Sequence, residues 1–304
     1  MTANSGADLT WGSGSFMGSG GAPLVFGSST ADSQVVFTNA INLNTGDAFS
    51  RVFHVEKGVG GDSARLTGVL SPGAGPTGLT KTGAGTLILD GNNTYTGVTS
   101  VNEGQFFING DSGAATGNLT VSSSATLGGS GTVGGAVTVN SGAFLTPGSD
   151  LNGVGVLRFN GGLAMNGTTT LQVLAAGVRG AAYDAIDLVV GSFTGTGALV
   201  LNFSSTLGDA TTLDLFGGAA FTALPSFSSV TATGAYTGTF LLGGGAYTLT
   251  SGEQSLSFAT STGDLIVTGG GLLAIPEPAA WATMVGGMML AGACFRRRPR
   301  LAVS

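Results

Sequence analysis

Leu119-Thr120-Val121-Ser122-Ser123-Ser124-Ala125-Thr126-Leu127 returns 18 residues later as Val137-Thr138-Val139-Asn140-Ser141-Gly142-Ala143-Phe144-Leu145. Each copy reads as a three-residue strand, a polar turn and a second short strand. Upstream, Ser100-Val101-Asn102-Glu103-Gly104-Gln105-Phe106 fits the same template, and downstream so does Leu163-Ala164-Met165-Asn166-Gly167-Thr168-Thr169-Thr170-Leu171. Apolar residues alternate within each strand, so one face is buried and the other is wet. Spacings of about 18 to 26 residues leave no room for a crossover helix. They suit one coil of a parallel β-helix, in which like residues stack and no coil can bury its apolar face alone. Val101, Val121, Val139 and Met165 are then expected in one interior row. Asn102, Asn140 and Asn166 fall at equivalent turns, where Asn tolerates a left-handed backbone and stacked amides can bond to one another.

The composition agrees with short strands and tight turns. Of 304 residues 56 are Gly, 42% are hydrophobic and 9% are charged, which fits neither a disordered polyelectrolyte nor a helical bundle. Residues 1–275 carry 6 Lys/Arg against 15 Asp/Glu, a net of −9, whereas residues 276–304 carry 4 Arg against Glu277, a net of +3. A dilute acidic body lacks the basic stripe that nucleic-acid binding needs. Cys294 is the single cysteine, so no internal disulfide framework exists.

The basic end follows an apolar span. Ala279 to Phe295 carries no charge, and as a helix it would cover about 25 Å, near the lower limit for crossing a bilayer core. Arg296, Arg297 and Arg298 follow at once and favour a cytoplasmic position for that end, which places the body across the membrane. Just upstream, Pro276-Glu277-Pro278 forms an extended stretch, either a processing site or a rigid linker. This order of tripeptide, span and Arg cluster resembles the PEP-CTERM sorting signal. The resemblance implies sorting or processing at Pro276, Glu277 and Pro278 by an exosortase-type membrane protease, with Arg296–Arg298 as the membrane stop. It also implies association with extracellular polysaccharide. The first residues show neither a basic start nor an apolar stretch, so a secretory signal is expected to be encoded upstream of Met1.

A second resemblance lies in the body. Gly78-Leu79-Thr80-Lys81-Thr82-Gly83-Ala84-Gly85-Thr86-Leu87-Ile88-Leu89, continuing through Asn92-Asn93-Thr94-Tyr95-Thr96-Gly97 to Gly104, is similar to the autotransporter-associated β-strand repeat. That repeat implies a β-helical passenger region of a surface protein. Residues 118–216 are passenger-like more loosely. No terminal series of ~10-residue amphipathic strands for an outer-membrane barrel appears, so the sorting tail stands in its place.

Candidate chemistry is sparse. Gly73-Ala74-Gly75-Pro76-Thr77-Gly78 matches G-x-G-x-x-G, but strand-like sequence follows it where a dinucleotide site needs a helix. Gly128-Gly129-Ser130-Gly131-Thr132-Val133 starts like a calcium-binding repeat but has Val133 where Asp belongs. His54 is the single histidine and reads as a solvent-exposed strand-face residue; Asp184 and Asp187 read as a turn acid and a strand-edge acid. A β-helical polysaccharide lyase or glycosidase would need clustered carboxylates with nearby bases, and here they are scattered.

The expected fold is all-β, a right-handed parallel β-helix (solenoid) with a less regular β-rich C-terminal part and one C-terminal transmembrane helix. Its divisions are N-terminal β-rich coils over 1–77, β-helix repeats over 78–171, a cap or continued passenger region over 172–268, a Gly-rich linker over 269–275 and the sorting signal over 276–304. In the latter part Ser192–Phe203, Thr211–Phe216, Thr239–Leu242, Ala246–Thr250 and Ser255–Phe258 are the expected strands, with the coil period lost from about Ala185. The expected role is non-enzymatic, with no cofactor, metal or nucleic acid. It is that of an exported structural or interaction protein at the cell surface or in the extracellular matrix of a Gram-negative-type bacterium. The alternative is an adhesin-like autotransporter passenger fragment.

Overall fold

The computed structural model describes residues 9–11, 22–43, 50–60, 63–148 and 153–269. The expected helix at 279–295 and the sorting residues Pro276, Glu277, Pro278, Arg296, Arg297 and Arg298 lie outside the described residues. Among the described residues no helix is long and apolar enough to cross a membrane.

The chain winds as a three-sided solenoid. The first side is an eight-stranded sheet that includes Arg51–Val55, Leu79–Thr82, Thr99–Val101, Leu119–Val121, Val137–Val139, Leu163–Met165 and Phe193–Thr194, all paired in parallel. The second is a ten-stranded sheet running from Val35–Phe37 through Thr86–Leu89, Gln105–Ile108, Thr126–Gly129, Phe144–Pro147, Thr168–Val173 and Ala198–Phe203 to Ser229–Gly234. The third side is divided into a three-stranded sheet ending at Leu70–Ser71 and a five-stranded sheet beginning at Asp111–Ser112.

Interior positions stack as rows. Phe53 pairs with Lys81, Lys81 with Val101, and the row continues through Val121 and Val139 to Met165. All six residues are buried. Apolar side chains at one strand spacing, roughly 4.8 Å, give a continuous column that no single coil could close.

Stacking backbone on backbone also explains the glycines at the coil corners. At the corner before the first side, a Cβ on Gly117 would stand 1.9 Å from the Gly97 carbonyl oxygen, and one on Gly135 2.1 Å from that of Gly117. At the corner after the second side, Gly91, Gly110 and Gly131 repeat the arrangement: a Cβ on Gly110 would meet the Gly91 oxygen at 2.3 Å. Neither corner has room for a side chain.

Two expectations about the coils are corrected. Asn102, Asn140 and Asn166 are not the left-handed residues of their turns. Their N–H groups donate to Lys81, Val121 and Val139 and so extend the ladder. In the turns after Asn102 and Asn140 the left-handed positions come slightly later, at Gly104 and Gly142. The copy at Leu163–Leu171 does not align end to end, because Leu145 pairs with Thr169 and not with Leu171. Asn166-Gly167 makes a shorter corner, and Thr169 is buried in its place. Beyond Ala185 the coils continue with longer spacing: Thr168–Val173, Ala198–Phe203 and Ser229–Gly234 pair in parallel, residue for residue.

After Ser229–Gly234 the direction changes. Gly238–Thr239 pairs antiparallel with it, and Leu241–Gly243, Ala246–Ser251, Gln254–Ala259, Asp264–Gly269 and Thr211–Asp214 form an antiparallel sheet. Ser192–Phe203 is two strands separated at Gly195, and Thr211–Phe216 contributes Asp214 and Phe216 to different sheets. Phe216, Phe227, Tyr247 and Phe258 pack under this sheet with ring centroids 5.9 to 6.5 Å apart.

Candidate functional surface

The segment from Leu79 to Gln105 is one full coil and the start of the next, and its polar residues tie the coils together. Lys81 takes an interior position otherwise filled by Phe53 and Val101. Its Nζ donates to the carbonyls of Thr82 (2.9 Å), Gly83 (2.7 Å) and Glu103 (3.2 Å), across the corner between two coils. Burial lowers its pKa to about 8, with the Glu103 carboxylate pulling the other way. Asn93 occupies the third side where its two sheets are interrupted. Its Oδ1 accepts from the N–H of Leu70 (2.8 Å) and its Nδ2 donates to Ser112 Oγ (3.0 Å), so one amide spans the coil below and the coil above. Tyr95, also buried, bonds Thr99 Oγ1 at 2.9 Å, and burial pushes its hydroxyl up to about 12. Lys81, Asn93 and Tyr95 are therefore structural groups facing inward.

The titratable groups elsewhere are similarly engaged. His54 is half-buried and not simply exposed as expected. Its Nδ1 lies 3.0 Å from Thr82 Oγ1 and its Nε2 2.9 Å from Glu56 Oε1, which joins two coils on the first side. Asp184 and Asp187 serve different ends. Asp184 is fully buried and accepts from the N–H groups of Gly155 and Gln172, both at 2.8 Å, so it fastens the 174–184 excursion. Burial pushes its carboxyl up to about 7 against the pull of those two amides. Asp187 pairs with Arg179 and with Arg158 on the third side. Arg179 also reaches the Asp214 carbonyl (2.8 Å) and carboxylate (3.6 Å). Burial raises the Asp214 carboxyl; Arg179 opposes this, and Asp264 across the strand pair reinforces it.

Gly73–Gly78 is a loop leading into Leu79–Thr82, as its sequence context requires. Among the described residues no group of three or more His, Cys, Asp or Glu is placed to hold a metal ion. The outside of the first two sides presents two rows of outward side chains. The outward row of the first side runs Thr80, Ser100, Thr120, Thr138, Ala164, Thr194. That of the second side runs Thr86, Gln105, Thr126, Phe144, Thr168, Ala198, Ser229. Neither row contains a charge. The single side chain in them that alternation in sequence could have flagged is Phe144, which stands where the sister copy has Thr126.

Comparison with known proteins fits this geometry. Residues 79–105 match the passenger-associated-transport-repeat family, and they are the segment just described. The chain is also 35% identical over 109 residues to the adhesin BmaC autotransporter of Brucella suis biovar 1 (strain 1330). That alignment covers 35% of this chain and 3% of the adhesin, so the similarity concerns a small part of a much longer protein.

Proposed function

We propose that this chain is the β-solenoid passenger of an exported, adhesin-like surface protein of a Gram-negative-type bacterium. The observation that carries the proposal is the segment at 79–105, a passenger-type repeat whose polar residues Lys81 and Asn93 face inward and whose outer surface is left for contact. The role is one of display and attachment, without catalysis. In support, Lys81, Asp184 and His54 are each held by structural partners. The finer part of the proposal is the route. Pro276, Glu277 and Pro278 are recognised by an exosortase-type membrane protease, Arg296, Arg297 and Arg298 hold the tail at the inner membrane, and the released body associates with extracellular polysaccharide. The tail pattern in the sequence supports this route.

The test is Glu277→Ala in cells that make the full chain. Membrane insertion should persist while the mature, lower-mass species is lost from the cell-surface fraction, as read by mass spectrometry. Equal mature mass and equal surface display for both forms would leave a plain tail anchor. Resistance of the body to protease added to intact cells would refute surface display itself.

A further inference from the structure

Phe144 is the one aromatic side chain among the described residues that is exposed, with 44% of its surface open to solvent. Its position on the second side is outward: neighbouring Leu145 is fully buried, and Phe144 pairs with Thr126 on one coil and Thr168 on the next. Both threonines are half-exposed and lie at one strand spacing, roughly 4.8 Å, on either side of the ring. Thr146 follows two residues along the same strand and faces Gly128, which has no side chain to stand above the sheet. The floor there is closed by the Phe107 ring, whose Cε1 would be 2.4 Å from a Gly128 Cβ. The row continues as Gln105 and Thr86 in one direction and Ala198 and Ser229 in the other, and Thr86 Oγ1 donates to Gln105 Oε1 at 2.8 Å.

We infer that this row is a docking track for a neutral, linear polysaccharide lying along the solenoid axis, with Phe144 as its stacking platform. A pyranose ring has an apolar face of C–H groups and a rim of hydroxyls. The first stacks on an aromatic ring, and the second is served by hydroxyls and amides beside it. Phe144 supplies the platform; Thr126, Thr146 and Thr168 supply the rim partners. The charge pattern selects among polymers. No side chain from Thr86 to Ser229 in the row is ionised, so neither a polyanion nor a polycation finds a partner, and the chain's net charge of −6 repels a polyanion. A row of paired strands orders no loops on binding, which suits a long repetitive ligand. This inference deepens the polysaccharide part of the proposed function and depends on it.

The experiment is native affinity electrophoresis of the full chain in gels containing hydroxyethylcellulose, galactomannan, alginate or no polymer. The wild type should be retarded by one or both neutral polymers and not by alginate. Phe144→Ala should restore the mobility seen in the empty gel, and Phe144→Tyr should keep the retardation. Val178→Ala, at a side chain 74% exposed on the 174–184 excursion, should change nothing. Unaltered thermal unfolding of Phe144→Ala would show that its fold is kept. Equal retardation of Phe144→Ala and wild type, or none of the wild type by either neutral polymer, overturns the docking track. So does sedimentation showing a dimer that Phe144→Ala dissolves, since the ring would then bind a second copy. Surface display on cells is read separately by added protease, so loss of the track and loss of the passenger role are distinguishable.

Discussion

Between Leu79 and Met165 the strands of the first side begin at residues 79, 99, 119, 137 and 163, whereas those of the second side beyond Thr168 begin at 168, 198 and 229. The short coils turn through corners of stacked glycine. The long coils carry excursions that leave the ladder and must be fastened by side chains. Asp184 pins one such excursion, and Tyr236 another: its hydroxyl accepts from the N–H of Leu207 (2.7 Å) and donates to Gln254 Oε1 (2.7 Å). Gln254 Nε2 returns to the Leu207 carbonyl at 2.8 Å, and Tyr247 donates to that of Phe227 at 3.0 Å. In the first region order comes from repetition of backbone with Lys81 and Asn93 as added ties; in the second it rests on individual polar contacts and a cluster of rings. The first should therefore fail wherever stacking is interrupted, and the second where a tie is cut.

The largest effect expected is from Val139→Asp. Its carboxylate would enter the row between Val121 and Met165 with no partner, at a cost of several kcal/mol. Because each coil rests on its neighbours, amide exchange should accelerate in the coils at 119–127 and 163–171 as well as in its own. Thr138→Asp, one residue away and outward, should fall within about 0.5 kcal/mol of wild type. Similar losses from both would remove the inside–outside distinction on which the short coils rest.

Gly117→Ala comes next. The added methyl would meet the Gly97 oxygen at 1.9 Å, so two coils must separate locally, at about 1–3 kcal/mol. Gly243→Ala, in the antiparallel sheet with nothing within 4 Å of the new atom, is the comparison. Chemical denaturation should rank Gly117→Ala well below Gly243→Ala in stability. If the two were equal, the glycines would not be explained by coil contact.

This difference also decides how much was legible in the sequence. Val101, Val121, Val139 and Met165 were readable as a row because alternation and a steady period act through local geometry. Lys81 was not readable as an interior residue: its three carbonyl partners come from a corner whose shape exists only once two coils are stacked. Beyond Ala185 the period lengthens to 30 and 31 residues, and the eye finds no repeat although the parallel pairing persists. Ser229–Gly234 and Asp264–Gly269 were missed for that reason. Their identity as parallel or antiparallel depends on distant partners. Phe144 shows the same limit on the outside. Sequence placed it opposite Thr126, but its being exposed while Phe107 lies closed over Gly128 is a property of the assembled sheet.

The smallest effects, gradual in pH, separate the two regions by sign. The Asp184 carboxyl, raised from 3.8 to about 7 by burial, binds its proton more tightly in the folded chain than in the unfolded one. Its contribution to stability is full below about pH 4 and is lost as the pH rises through 7. The Lys81 ammonium, lowered from 10.5 to about 8, is the reverse case. The unfolded chain holds the proton more tightly there, so stability rises as the pH goes from 8 to 10.5. Each group can move stability by at most about 1.4 kcal/mol per pH unit. Amide exchange followed by mass spectrometry should accordingly show the coils joined at Gly155 and Gln172 loosening from pH 4 to 7, after correction for intrinsic exchange. The coil at 79–105 should tighten from pH 8 to 10.5. Asp184→Asn should flatten the first slope while lowering stability throughout, because its amide nitrogen would face a backbone N–H. Lys81→Met fits the row of Phe53, Val101 and Met165, but leaves three carbonyls without their donor. It should flatten the second slope and leave the first as it was. If either variant kept the wild-type slope in its own region, that group would not be the one titrating there.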